Sequence, residues 1–391
     1  MSSSFNAGLT VPSLLRQDLP AVVDAALRRR GMVVTRAKTE SIIPPGANMT
    51  TGGLWRIQGM AQQAGSGNEA EPAPFSVIAK LTQSPLLWPG IQAVPPEFRE
   101  QLAERYPWRT EAQAYAAGVS TALPFNARMP EAFRITELDA QRILIWMEDV
   151  DDGGGHGWSD EQFADAAFVL GGLAGSPDVD ALVTAVPNAT TSRRLEFFLE
   201  SVGMQLLIPA IMGDDVWQHP VVAGAADPAV ISGLRGLAGR ARDLVDVLVA
   251  LPQFPMHGDA SPQNLLAGAA NGGDEAFILI DWGNFGRGPA GFDLAQLLAG
   301  RVNDGDMPGS DLVRLAPLCV DAYCNGMAEA GTEPDASSVA RGHAAAMAVF
   351  TGLSALPLDQ LAAPRPGLED VVAGRLDMVR FILGRLDALG M

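Results

Sequence analysis

Apolar positions recur at helical spacing over 13–30, and the stretch ends in Arg28-Arg29-Arg30-Gly31, a basic turn and glycine that suit a helix C-terminus. From 32 onward the period shortens. MVVTRAKTESII (32–43), LWRIQGMA (54–61) and FSVIAKLT (75–82) read as strands. They are separated by PPGANMTTGG (44–53) and by QQAGSGNEAEPAP (62–74), which has the composition of a hairpin tip. WRTEAQAYAAGV (108–119) reads as a helix, and EAFRITELDA (131–140) with RILIWMEDV (142–150) as a further strand pair. That order predicts a small antiparallel α+β unit ending near residue 150. Helical patterns then dominate, over 159–174, 190–210, 228–250, 310–330, 336–354 and 368–389. They are interrupted at 255–283 by a loop, a short strand FILIDW (277–282) and a glycine-rich turn. The expected organisation is a sheet-rich domain over 1–150 and a mainly helical domain over 151–391.

Composition excludes several classes. With 48% hydrophobic and 18% charged residues, the chain is not predominantly disordered. Net charge is −18, and it is unevenly placed: residues 1–150 hold 14 acidic and 14 basic side chains, whereas 151–391 hold 31 and 13. A protein gripping nucleic acid through phosphates needs a basic surface, so no nucleic-acid partner is expected. Cys319 and Cys324 cannot form a disulfide framework and read as buried thiols, and the four histidines lack zinc spacing. No secretory leader is visible and no apolar run approaches the ~20 residues of a membrane span, so a cytoplasmic protein without membrane contact is expected.

One segment carries chemistry. Met256-His257-Gly258-Asp259-Ala260-Ser261-Pro262-Gln263-Asn264 is followed, across a hairpin expected at 267–275, by Ile278-Leu279-Ile280-Asp281-Trp282-Gly283. A carboxylate ending a Val/Ile/Leu strand should project into a cleft. Asp281 with Asn264 offers oxygen ligands suited to a hard cation such as Mg²⁺. The remaining carboxylate, Asp259, is placed to accept a proton from an attacking hydroxyl. Either motif alone is equally well read as a turn around Pro262; the two together, 17 residues apart, are harder to dismiss.

These two motifs resemble the catalytic and metal-binding segments of the aminoglycoside phosphotransferase and choline kinase group. The resemblance implies a bilobal protein-kinase-like fold, with an antiparallel-sheet lobe and a mainly helical lobe, and transfer of phosphate from ATP to a small molecule. It implies Asp259 as the catalytic carboxylate and Asn264 and Asp281 as Mg²⁺ ligands. His257-Gly258-Asp259 stands where protein kinases carry His-Arg-Asp, so control by activation-loop phosphorylation is not expected. A kinase-like fold also asks for a lysine on the third strand and a glutamate on the next helix. Lys80, one of only two lysines, ends the third strand-like run, and Glu111 lies in the following helix, with Glu100 and Glu104 as alternatives. Gly52 and Gly53, before Trp55-Arg56, are placed to cradle phosphate, a plain hairpin turn being the equal alternative. The resemblance puts the nucleotide base along Trp146–Val150, held by backbone groups, with Glu148 and Val150 among its contacts; Glu148 and Asp149 read either as contacts to the ribose or the acceptor or, equally, as solvated connector residues. Asp293, opening a helix in Gly291-Phe292-Asp293, reads as structural support.

The expectation is therefore a phosphotransferase using ATP, or GTP, with Mg²⁺. The acceptor is a small hydroxylated molecule, an antibiotic, amino sugar or choline-like metabolite, and the acidic second part suits a cationic one as well as it suits simple solubility. A non-catalytic nucleotide-binding module and a protein kinase stand as alternatives. Oligomeric state is open.

Overall fold

The computed structural model describes residues 9–65, 71–124, 127–150, 157–267 and 277–391. The glycine-rich connector with His156, and most of the hairpin expected at 267–275, lie outside these. The chain divides into two compact units: one is formed by 1–116 with 129–151, the other by 117–128 with 152–391.

The first unit is built on a six-stranded sheet. Its strands are β1 (Leu9–Thr10), β2 (Met32–Ile43), β3 (Thr51–Gln63), β4 (Ala73–Gln83), β5 (Ala132–Asp139) and β6 (Arg142–Glu148), in the order β1-β2-β3-β4-β6-β5. All neighbours pair antiparallel except the two-residue β1, which runs parallel to β2. Alternation along the strands assigns each side chain a face. Val77, Ala79 and Leu81 of β4, with Leu144 and Trp146 of β6 and Trp55 and Ile57 of β3, bury against Leu15, Leu19, Val22 and Val23 of the N-terminal helices Ser13–Arg16 and Leu19–Ala26. On the other face Ile78, Ile143, Ile145 and Met147 pack with Ala112, from the helix Thr110–Ala116. Lys80 shares the parity of Ile78 and so belongs to this second face. The helix Pro96–Arg105, which the sequence pattern does not single out, has no buried residue and hence no apolar stripe to read.

The second unit is mainly helical. Helices Asp160–Gly175 and Leu312–Glu329 cross at close range, with Gly171 against the Tyr323 backbone and Gly326 against that of Phe168. The stretch expected as one helix over 228–250 is two, Pro228–Gly239 and Ala241–Ala250, parted at Arg240. Two short two-stranded sheets carry the loops of interest. β7 (Gln253–Met256) pairs with β10 (Gly286–Pro289), and β8 (Leu265–Ala267) with β9 (Phe277–Leu279). Residues 117–128 group with this unit because Arg128 bridges to β9: its N–H donates to the Phe277 carbonyl, and its own carbonyl accepts from Leu279. The single boundary expected at 150 therefore becomes a boundary at 151 plus an exchanged segment.

One expectation is corrected. The helical stretch Arg193–Met212 spans 20 residues and contains an 18-residue window of mean hydropathy 1.5, 28% of it buried, so by length and composition alone it is long and apolar enough to cross a membrane. Its charged residues (Arg193, Arg194, Glu196, Glu200) lie towards one end, and with Ser201 and Gln205 they hide a long apolar average from a search for unbroken runs. The middle of it, Leu199–Leu207, is wound as a π-helix.

Candidate active site

In the first unit, Lys80 Nζ lies 2.6 Å from Glu111 Oε2, with side-chain exposures of 9% and 3%. Helix Thr110–Ala116 places Glu111 in its first turn over the sheet face that Lys80 occupies, whereas Glu100 and Glu104 are exposed on the preceding helix. A lysine and a glutamate this buried are tolerated only as a pair.

The two glycines expected in a phosphate-cradling turn sit elsewhere. The turn covers 44–50, and Gly52 and Gly53 are already inside β3. A Cβ on Gly52 would lie 2.6 Å from Gln83 Oε1, and one on Gly53 would run into the Trp55 ring. The pairing of β3 with β4 shifts register between Thr51 and Gly53. Close packing at a bulge thus accounts for both glycines, because the strand begins earlier than its apolar pattern suggests. Trp55 is buried in the core and Arg56 is engaged with Asp149, so that pair does not reach for phosphate from the turn. Glu148, at the end of β6, accepts the Glu131 N–H through Oε2 at 3.1 Å, which turns this side chain toward β5. Val150 stands two residues beyond β6 and is half-buried.

The second unit assembles Asp259, Asn264 and Asp281 by backbone bonding. The antiparallel pairing of Leu265 with Leu279 extends by one rung, with the Ile280 N–H donating to the Asn264 carbonyl at 3.0 Å, so Asn264 and Asp281 sit at adjoining strand ends. Asn264 Nδ2 donates to the Asp259 carbonyl at 2.8 Å and ties the loop back on itself. That bond uses the amide nitrogen and leaves Oδ1 as an oxygen donor. Asp281 has φ +61°, one of two non-glycine residues in the left-handed region among those described, and this bend turns the chain sharply out of β9. Trp282 then plugs the core: its ring is fully buried, its Nε1–H donates to the Leu279 carbonyl at 2.8 Å, and it stacks edgewise on His257 and Phe285.

Asp293 holds the Asp259 loop from below. Its Oδ2 accepts the His257 N–H and its Oδ1 the Gly258 N–H, both at 2.8 Å. Gly258 has φ +81°, and a Cβ there would run into the Asn284 carbonyl oxygen, so only glycine passes. His257 Nε2 lies 3.0 Å from the Ile280 carbonyl, and Nδ1 accepts the Asp259 N–H at 3.4 Å, so the ring bridges the two motifs. Burial pushes the Asp293 carboxyl up to about 6; the two backbone N–H groups pull it down, and the nearby Asp259 charge adds to the rise. Burial likewise raises the Tyr323 phenol, with Asp293 contributing. Sequence reading assigns Asp293 a supporting place without naming its partners. The Arg56–Asp149 contact escapes it altogether, because that contact depends on cross-strand register.

Residues 217–330, which contain Asp259, Asn264, Asp281 and Asp293, match the family model described as the phosphotransferase enzyme family. No curated protein matches the chain in sequence. Among solved structures, it is similar to an aminoglycoside phosphotransferase from Alicyclobacillus acidocaldarius subsp. acidocaldarius (12% identity, TM-score 0.49, covering 99% of this chain and 98% of that one). It is also similar to a microcompartment-associated aminopropanol kinase (12%, 0.48, covering 94% and 98%). A third likeness is to an amicoumacin kinase in complex with AMP-PNP, Ca²⁺ and Ami (11%, 0.44, covering 88% of each chain). The family match thus covers the segment 217–330 and the loop system it carries, within an α+β chain whose first unit is built on a mainly antiparallel sheet and whose second is mainly helical.

Proposed function

We propose that the protein is a kinase that transfers the γ-phosphoryl group of ATP to a hydroxyl of a small molecule. The observation that carries this reading is the loop system in which Asp259, Asn264 and Asp281 are tied together by the Asn264–Asp259 and Ile280–Asn264 hydrogen bonds. Asp259 orients the acceptor hydroxyl and takes its proton as the oxygen attacks phosphorus. His257, Gly258 and Asp293 keep that carboxylate in place, since a fixed loop is what converts proximity into rate. Lys80, oriented by Glu111, presents a compact positive charge to the α/β-phosphates. The oxygen donors of Asn264 and Asp281 fit a hard divalent cation and would hold Mg²⁺. When bound, such an ion neutralises charge on the phosphate oxygens. The −18 carried by residues 151–391 favours a cationic acceptor, an amino alcohol or amino sugar, by raising its local concentration. The test is acceptor-dependent ADP release across aminoglycosides, macrolides, amino sugars, nucleosides and amino alcohols, with wild type and Asp259→Ala compared side by side. A response to at least one acceptor, absent in the variant, is expected; a flat response across the panel would count against a small-molecule kinase.

A further inference from the structure

One face of the sheet carries polar contacts at two places. At one, Lys80 pairs with Glu111. At the other, Arg56 of β3 and Ser76 of β4 converge on Asp149, the residue that follows β6. Arg56 Nε donates to Asp149 Oδ1 at 3.0 Å and Oδ2 at 2.9 Å, and the Ser76 hydroxyl donates to Oδ2. The Asp149 side chain is only 11% exposed. Arg56 also faces Glu40 of β2 at 3.8 Å, so four elements meet here. Ser76, Ile78 and Lys80 alternate along β4, so both polar places lie on one face, with Ile78, Ile145 and Met147 buried on it between them.

A strand end is where a sheet frays, and Asp149 is the first residue past the last ladder pair, Val77 with Glu148. A nearly buried carboxylate is costly to leave without donors, so it holds the chain to Arg56 and Ser76. The neighbouring Val150 backbone is thereby given one direction. We propose that Arg56, Ser76 and Asp149 form a latch that positions the 148–150 backbone for the nucleotide's base. They are positioning residues: they set affinity for the base and ribose, and they do not touch phosphate or take part in the chemical step. The inference rests on the reading of the protein as a nucleotide-dependent kinase.

The experiment measures equilibrium binding of ATP, adenosine and tripolyphosphate to wild type, Arg56→Ala, Arg56→Lys and Ser76→Ala, with kcat at saturating ATP. In Arg56→Ala, affinity for ATP and for adenosine falls together by about tenfold, as expected when a supporting group is lost. Tripolyphosphate affinity and kcat stay at wild-type levels. Arg56→Lys keeps the charge but loses the planar fork, and recovers part of the loss. Adenosine affinity unchanged in a folded variant would overturn the latch. So would a fall confined to tripolyphosphate, which would make Arg56 a phosphate ligand. Should Arg56→Ala not fold, Ser76→Ala removes a single bond and still weakens adenosine by about threefold, in line with one lost hydrogen bond; no change there overturns the proposal equally. A wild-type protein that binds no ATP would sink the kinase reading and the latch with it, whereas ATP binding with unmoved variants sinks the latch alone.

Discussion

Buried charge decides most of what individual residues do in this protein. Lys80 and Glu111 are a buried pair, so truncating one member leaves the other charge in a poor medium. Lys80→Ala should lower unfolding free energy by about 3–5 kcal/mol in urea titration, while replacing both residues with apolar ones of similar size should restore most of that stability without restoring nucleotide binding. A double variant that binds ATP normally would remove Lys80 from the phosphate site. Asp293 supplies a second test, through pH. Its carboxyl is raised from the ordinary 3.8 to about 6, mainly by burial. The folded protein therefore keeps a proton that the unfolded chain has released, and stability falls as pH rises through this window, the loss being complete above about 6. A rise of about two pKa units corresponds to a loss on the order of 3 kcal/mol. Wild type should accordingly gain on Asp293→Asn when the medium is taken from pH 7 to pH 4, by up to that amount; a difference between the two that stays flat with pH would contradict the assignment. These two residues were also unequally legible. The pairing of Lys80 with Glu111 was legible through the family resemblance, which asks for a lysine on the third strand and a glutamate on the next helix, although Glu100 and Glu104 stood as alternatives. The partners of Asp149, Glu148 and Gly52 could not, because each depends on which rung of the neighbouring strand stands opposite.

At the scale of elements, the helix crossing of Asp160–Gly175 with Leu312–Glu329 depends on glycine. A Cβ at Gly326 would run into the Phe168 carbonyl, and one at Gly171 into that of Tyr323. Gly326→Ala should destabilise by about 1–3 kcal/mol, the usual cost of overpacking. Gly384, in helix Leu368–Ala388, is exposed with nothing within reach of a Cβ, so Gly384→Ala should stabilise by about 0.5–1 kcal/mol through helix propensity alone. Chemical unfolding of both variants checks the contrast; a neutral Gly326→Ala would mean that the helices can part without cost. The close crossing was not visible in the sequence, where glycines at Gly171, Gly175 and Gly326 look like noise in a glycine-rich chain. Strands β2 and β4 were visible because their alternation is long and regular. The early start of β3 was not, because Thr51, Gly52 and Gly53 have turn-like composition and are kept in the strand by packing against Trp55, Leu81 and Gln83.

For the whole molecule, charge and fold divide along nearly the same line. The first 150 residues are neutral and hold the Lys80–Glu111 pair and the Arg56–Asp149 latch; the acidic remainder holds the Asp259 loop system. Under the proposed function, the first unit would supply a charge for the nucleotide's phosphates and the second a carboxylate for the acceptor hydroxyl. Under that proposal, Asp259 receives the acceptor's proton while contributing little to nucleotide binding. The measurement that tests it most directly is turnover and ATP affinity of Asp259→Ala with the best acceptor found for wild type. Turnover should fall by at least about a hundredfold, the scale of a lost general base, with ATP affinity held at the wild-type level. A variant that still transfers phosphate at the wild-type rate would contradict it.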